Sequence, residues 1–480
     1  MVSFILNNQF IETTLPNGST VLDFVRYNNN LKGTKIGCRE GDCGACTILV
    51  GDFEEEKIVY RSITSCLMPL GNAQGKHILT VEGINLPFNK QNLPELSPVQ
   101  KAMVETNSTQ CGFCTIGFIM SFTGFTLHHQ TKKYEEAIAA IDGNICRCTG
   151  YKSIERAAKI ISEKVKDKPA KNTIAWLIEH GFLPSYFINI EQRLKELKHK
   201  AKTTTAFENG NPQKMVLGGG TDLIVQKPLT VKKSAAEFVF DNPHLKEITV
   251  KDGIIYLGAS VTVTAFAESE IIQNIFPNLK HYIKLISSTP IRNMATIAGN
   301  LVNASPIGDM TIFLLALDAS VVINKNGSQR ILKLKNFYKG YKILDKDADE
   351  IIEAVFFNRP PKNTYFNFEK VSKRTNLDIA SVNSASLITI ANDVIEDIHL
   401  SAGGVAPFPK YLTSTALYLK GKRIDEVILN EAITKMNAEV DPISDARGTA
   451  EYKRLLLRQL FLAHIIKAGA TKPVQKILVQ

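Results

Sequence analysis

A chain of 480 residues, 44% hydrophobic and 22% charged, has the composition of a folded protein, with room for roughly three domains at the usual ~150 residues each. Its 30 glycines and 19 prolines are too few for a collagen-like or low-complexity chain. The net charge of +10 owes much to lysines between Lys164 and Lys202, which read as a solvated linker and a surface helix, with no nucleic-acid-reading motif beside them. No apolar run approaches a membrane span; the run from Ile312 to Leu317 stops at Asp318. The opening MVSFILNNQF lacks the plan of a secretory signal, so the expectation is a cytoplasmic chain with reduced or metal-bound cysteines.

Taken in chain order, Ser3 to Glu12 predicts two strands around an Asn7-Asn8 turn. Thr20 to Asn28 predicts a helix with Val21, Leu22 and Val25 on one face. Ile48–Val50 and Lys57–Tyr60 predict further strands, completing a small β-grasp pattern. Between them lies GCREGDCGAC, followed later by SCL: Cys38, Cys43, Cys46 and Cys66 at C-x4-C-x2-C-x19-C, the plant-type [2Fe–2S] spacing. Three thiolates from one tight loop can wrap a cluster while a fourth arrives from a separate turn. Gly37, Gly41 and Gly44 let backbone N–H groups approach the sulfurs and offset their charge. Arg39 is a candidate helper at the surface.

The other four cysteines are Cys111, Cys114, Cys146 and Cys148, at C-x2-C-x31-C-x-C, and none follows. Cys111 and Cys114 are three apart and predict one face of a helical turn; Cys146 and Cys148, in GNICRCTGY, share a site only from an extended or turn segment. Pro98–Asn107, Ile116–His128 and Tyr134–Ile141 predict helices around them. Structural zinc also uses four cysteines with C-x2-C hooks. The first set is a poor zinc hook, whereas the second, taken alone, leaves zinc open. His128 and His129 read as exposed loop residues.

Beyond Lys164 to Asn172, which reads as an interdomain linker, and a short helix at Ile174–His180, the composition shifts toward Gly, Thr and Val. Lys214 to Gln226 (KMVLGGGTDLIVQ) reads as a strand, a glycine turn and an apolar segment; such glycines let N–H groups reach a pyrophosphate, but an ordinary turn reads the same way, and G-x-G-x-x-G is absent. Thr296 to Asp309 (TIAGNLVNASPIGD) reads as a loop whose Gly299 and Asn300 offer donors and whose Asp309 offers an acceptor, or as an ordinary buried loop. Strand-rich runs from about Lys362 lead into helices at Ile424–Lys435 and Ala450–Ala468.

The stretches GCREGDCGACTILV, STQCGFCTIGF and GNICRCTGY closely resemble the iron–sulfur signatures of the molybdenum hydroxylases, the xanthine dehydrogenase and aldehyde oxidase family. VLGGGTD, IRNMATIAGNLVNASPIGD, SKRTNLDIASV and LSAGGVA resemble segments of that family's FAD domain. The resemblance implies an α+β multidomain chain: a β-grasp plant-type ferredoxin domain at 1–85, a four-helix [2Fe–2S]-binding domain at 90–163, a linker at 164–182, an α+β FAD-binding domain of the vanillyl-alcohol-oxidase type at 183–360, and an α+β C-terminal cap at 362–472. It implies that the eight cysteines hold two [2Fe–2S] clusters rather than zinc. It puts FAD contacts on Val216, Leu217, Gly218, Gly219, Gly220, Thr221, Asp222 and Leu223, on Thr296, Ile297, Ala298, Gly299 and Asn300, and on Asp309, Lys373 and Ile379. Ile286 falls where some members set an aromatic residue against the flavin, and Ile116 where the family usually has proline. Lys373 and Arg374 match a basic pair that neutralises phosphate or flavin charge or forms a structural ion pair, and Gln110 matches a residue that reaches the pterin.

The resemblance further implies the role. Substrate is oxidised at a molybdenum–pterin centre in a large partner subunit, and electrons pass through the Cys111 set, the Cys38 set and FAD to NAD+. The expected partner is that subunit, in a dimer of heterodimers, with no nucleic acid or membrane. Fusion of both halves in one chain favours hypoxanthine or xanthine as substrate; an aldehyde or N-heterocycle is the alternative, and an iron–sulfur sensor the rival from another class. No Ser/His/Asp set, H-E-x-x-H or Walker loop is present, and no catalytic acid or base is expected.

Overall fold

A computed structural model describes residues 1–87, 95–201, 215–374 and 376–479. Lys202, Lys214 and Thr375, each part of a stretch read above, lie outside them, as does the start of the 90–163 domain. Two compact units emerge. One gathers the described chain up to residue 201 with 215–240 and 288–295, and the other gathers 241–287 with 296–479.

In the first unit, strands β1 (Val2–Leu6), β2 (Gln9–Thr13), β3 (Thr47–Glu54), β4 (Lys57–Thr64) and β5 (His77–Leu79) form one sheet in the order β2-β1-β5-β3-β4. Only β1 and β5 run parallel, as a β-grasp requires. Val2, Phe4 and Leu6 face the core that also holds Val21, Leu22 and Val25. Thr20 caps the predicted helix, its Oγ1 accepting from Asp23 N–H at 3.2 Å, and the segment then continues as a π-helix over Phe24–Asn28. Ile5, on the opposite face of β1, is covered by Ile190, Leu194 and Leu197 of the helix Ile190–Ala201.

The helical module has α1 (Pro98–Glu105), α2 (Thr115–Leu127), α3 (Tyr134–Ala140) and α4 (Lys152–Lys164). A capping box starts α1: Gln100 N–H donates to Ser97 Oγ at 3.3 Å, and Ser97 N–H donates to Gln100 Oε1 at 2.8 Å. In α4, Ile154, Ala157, Ala158 and Ile161 form a buried stripe at helical spacing. Ile116, in the position where proline was expected, is the second residue of α2 and packs on this core.

The lysine-rich stretch after α4 is not wholly solvated. Lys168 is fully buried, its Nζ donating to the carbonyls of Thr126 at 2.7 Å, His128 at 2.7 Å and Thr131 at 3.0 Å. Those carbonyls end α2 and turn the chain beyond it, where no helical N–H remains to meet them. Leu177 and Phe182, farther on, are buried in the same core.

Among its described residues the second unit carries two larger antiparallel sheets besides the two-stranded pair Tyr338–Gly340 and Ile343–Leu344. Strands Ser328–Lys333, Ser320–Lys325, Ile351–Asn358, Ile254–Gly258 and Ile248–Lys251 form one, in that order. Strands Thr364–Val371, Val382–Ala391, Val394–Gly403 and Lys410–Tyr411 form the other. Helices Glu426–Glu439 and Ala450–Lys467 close the second sheet over a core of Ile388, Ile398, Leu429, Leu457 and Phe461. Among the described residues, no helix is long and apolar enough to cross a membrane.

Candidate iron–sulfur and flavin sites

The first cysteine loop ends where β3 begins. Gly41 and Gly44 take φ of +81° and +68°, and Arg39 takes +60°. At Gly37 a Cβ would stand 2.6 Å from Cys43 Sγ, so only glycine lets the loop close on that sulfur. Glu40 N–H donates to Cys38 Sγ at 3.3 Å. A hydrogen bond from the Cys43 thiol, then the N–H groups of Glu40, Cys43 and Asp42, outweigh burial and hold the Cys38 thiol down at about 5. Cys66 holds Cys46 down in the same way, while Cys43 and Cys66, the donors of the two pairs, are pushed up. Arg39 turns away to pair with Asp23 at 2.8 Å.

The second set differs from the expected helical turn. Cys111 and Cys114 sit in a turn before α2, with Gly112 at φ +80° between them, and Cys114 is the residue flanking the helix start. Glycine in this left-handed position redirects the chain so that both sulfurs can serve one site. Cys148 Sγ lies 3.6 Å from Cys111 Sγ. Cys114 is pushed up to about 12 by burial and by its hydrogen bond with Cys146. Burial also works against the Cys146 thiolate, but donors from Thr149, Oγ1 at 3.1 Å and N–H at 3.4 Å, win and hold it low. Cys146 N–H donates to Tyr151 Oη at 3.0 Å. Gln110 and Cys111 are exposed, and His128 and His129 stack on one another at 5.1 Å.

The eight thiols thus sort into pairs: Cys38 with Cys43, Cys46 with Cys66, Cys111 with Cys148, and Cys114 with Cys146. Among the described residues, no three His, Cys, Asp or Glu side chains converge on a single ion. Two pairs of thiolates, one per iron, are what a [2Fe–2S] cluster asks of four cysteines, whereas structural zinc asks four to meet at one point. The residues therefore fit two clusters. The two loops also touch: Ile145 N–H donates to Cys43 O at 3.1 Å, and Asn144 Nδ2 donates to Gly44 O at 3.1 Å. Gly117 is needed here, because its Cβ would stand 2.1 Å from Gly44 O.

The flavin segments fall in both units. In the first, Met215–Leu217 pairs in parallel with Ala236–Phe238 and leads into Gly218, Gly219 and Gly220. Asn72 Nδ2 donates to Gly218 O at 2.9 Å, and Gly220 takes φ +83°. Thr221 and Asp222 lead to a short helix, Leu223–Gln226; Val216 is exposed and Leu217 buried.

In the second unit, the segment from Thr296 is a helix, Ile297–Asn303, where the sequence reading has a loop. Thr296 Oγ1 caps it, and the four residues after Thr296 turn their N–H groups inward. Ile297 and Ala298 donate to the carbonyls of Val261 and Ala259, and Gly299 and Asn300 to Thr296. Asn300 Oδ1 accepts from Thr311. Asp309 accepts from Lys370 Nζ at 2.7 Å and from Asn383 Nδ2 at 2.6 Å. Lys370 also donates to Leu285 O at 2.9 Å, beside the buried Ile286. Sequence reasoning missed Lys370, because its strand, Thr364–Val371, also carries Thr364, Asn367 and Glu369 and nothing local sets the lysine apart. Lys373 donates to Ala446 O at 3.0 Å, Arg374 is engaged within its own loop by Asp378 and Leu377, and Ile379 is 49% exposed.

Four families match in order: a 2Fe-2S iron-sulfur cluster binding domain (residues 4–71), a [2Fe-2S] binding domain (80–159), the FAD binding domain in molybdopterin dehydrogenase (194–360) and the CO dehydrogenase flavoprotein C-terminal domain (367–468). A xanthine dehydrogenase of Blastobotrys adeninivorans is 28% identical over 92% of this chain and 39% of its own length. An aldehyde oxidase 2 of Macaca fascicularis is 26% identical over 95% of this chain and 38% of its own length. The chain therefore spans about two fifths of the length of these relatives. A solved CO dehydrogenase structure from Oligotropha carboxidovorans shares the fold over 54% of this chain and 91% of that chain, at 24% identity and a TM-score of 0.51.

Proposed function

We propose that this chain is the iron–sulfur and FAD part of a molybdenum hydroxylase, and that it carries electrons to NAD+ from a partner molybdenum–pterin subunit in which hypoxanthine or xanthine is oxidised. The observation that carries the reading is the contact between the two cysteine loops, Ile145 N–H on Cys43 O, which joins the ligand sets through one hydrogen bond. When bound, the clusters supply one-electron steps and the flavin converts them to a two-electron hydride transfer. Cys38, Cys43, Cys46 and Cys66 hold one cluster, and Cys111, Cys114, Cys146 and Cys148 the other. Backbone N–H groups and Thr149 stabilise the thiolate charge. The turn 216–223 and residues Ile286, Thr296–Asn300, Asp309, Lys373 and Ile379 are the proposed flavin contacts. Lys370 fixes Asp309 beside Ile286 from within the fold.

The xanthine dehydrogenase and aldehyde oxidase relatives keep two substrate classes in play, and the purine reading rests on the fusion of both halves in one chain. Anaerobic titration of the cluster- and FAD-loaded chain with NADH, followed by visible absorbance, tests the acceptor. Bleaching of flavin and cluster bands together is expected. Bleaching by dithionite but not by NADH would remove NAD+ from the proposal.

A further inference from the structure

Residues 288–295 lie within the sequence of the flavin half yet pack in the cysteine-bearing unit. Their short helix, Thr289–Arg292, is fastened to the second cysteine module through Asp142, four residues before Cys146. Thr289 N–H donates to Asp142 Oδ1 at 2.8 Å. Arg292 Nη2 donates to Asp142 Oδ2 at 2.6 Å and to Thr289 Oγ1 at 2.7 Å. Both charged side chains are only 10% exposed. Asn293 Nδ2 donates to Ser62 O at 2.8 Å, in the strand that leads to Cys66. Ile291 closes over Gly41 in the first cysteine loop, where a Cβ would stand 2.8 Å from its Cδ1. The Met294 carbonyl lies against Gly219, where a Cβ would stand 1.8 Å away. One strap thus touches both cysteine loops and the glycine turn.

A buried ion pair is a poor source of stability, because the desolvation of two charges largely cancels their attraction; what it supplies is a fixed geometry. We infer that Asp142 and Arg292 are a positioning pair that sets the spacing of the two iron–sulfur clusters, and with it the rate of electron exchange among the cofactors. The inference rests on the cluster reading above. Neither side chain is a cysteine ligand; Asp142 acts through the loop Gly143–Asn144–Ile145 that meets Gly44 and Cys43.

The test uses the full chain loaded with iron, sulfide and FAD. Iron and sulfide are counted first; a wild-type chain that holds no clusters overturns the cluster reading and this inference with it. Low-temperature EPR of the dithionite-reduced protein then reads the magnetic coupling between clusters, and rapid photoreduction reads the flavin-to-cluster electron-transfer rate. Arg292→Met and Asp142→Asn should keep full iron and sulfide, alter the coupling, and slow the transfer roughly ten-fold or more, the scale on which ångström misplacement acts. Asp142→Asn keeps the size of the side chain and an acceptor for Thr289, so it serves if Arg292→Met fails to fold. Arg292→Lys, which keeps a cation for Asp142, should restore most of both signals. Wild-type coupling and rate in the folded variants would overturn the inference.

Discussion

The two cysteine sets solve one chemical problem in different surroundings. Cys46 and Cys66 are buried in the sheet module's core with Leu67 and Met68, whereas Cys111 and Cys148 are exposed. A cluster on the first set would share the fold's own core; one on the second would have an open edge. The difference comes from the scaffold. A β-grasp sheet delivers its fourth cysteine just past the end of an interior-facing strand, while a helical module delivers cysteines from turns at its rim. With Cys46 and Cys66 in the core and Cys38 and Cys43 half-buried, the first set ties its site to core packing, whereas the second set buries only Cys146 and leaves Cys111 and Cys148 at the surface.

The largest test of that contrast is to remove one ligand from each set. Cys66→Ala should cost on the order of 4 kcal/mol of stability, since a buried cluster site contributes its binding energy to folding. Cys148→Ala should also lose its cluster and that cluster's contribution to folding, but it opens no cavity in a core, so its cost should be smaller by about 1–2 kcal/mol. Chemical denaturation of the loaded proteins checks both, and equal losses would erase the distinction.

The helical module has its own weak point away from its cysteines. Lys168→Met should cost about 2 kcal/mol, because it takes the lysine donor from the carbonyls of Thr126 and Thr131 and leaves His128 O with the longer bond from Thr131 Oγ1 at 3.4 Å. Hydrogen exchange should show α2 and α3 opening while the sheet stays protected; simultaneous opening would mean that the two modules fold as one.

The sheet module should instead be the acid-sensitive one. His77, hydrogen-bonded to Tyr60 Oη at 2.7 Å and Asn7 O at 2.9 Å, is held neutral by burial, its pKa lowered from 6.5 to about 3. Below pH 6.5 the unfolded chain takes up a proton that the folded chain refuses, so stability falls with pH, by about 2 kcal/mol at pH 5. The loss continues until pH reaches the folded value. His77→Gln should flatten that slope, measured as exchange protection of β1 and β5 amides between pH 7 and 5.

Local pattern and tertiary structure divided the information unequally. The cysteine spacings, the glycines that let the loops close, and the helices around Ile116–His128 were legible because each is a property of a few neighbouring residues. The strand pair at Asn7-Asn8 was legible for the same reason. The turn around Gly112 was not, since a C-x2-C pair fits a helix or a turn until the chain on either side is placed. The helix beginning at Ile297 was missed because its small, weakly helical residues read as a loop, and its first N–H groups find their carbonyls at Ala259 and Val261, far back in the chain.

By itself, then, the local spacing determined the plant-type [2Fe–2S] pattern of the first cysteine set, while the second cluster and the flavin came from the resemblance of whole segments to a family. Ligand spacing is short-range chemistry and survives without a fold. Only the tertiary structure decided that Lys168 would be buried, that Lys370 would meet Asp309, and that Arg292 would reach Asp142. Each of these places a charge among partners 37 to 150 residues away. A buried charge is tolerated only where the fold supplies those partners, and no local pattern announces where that will be.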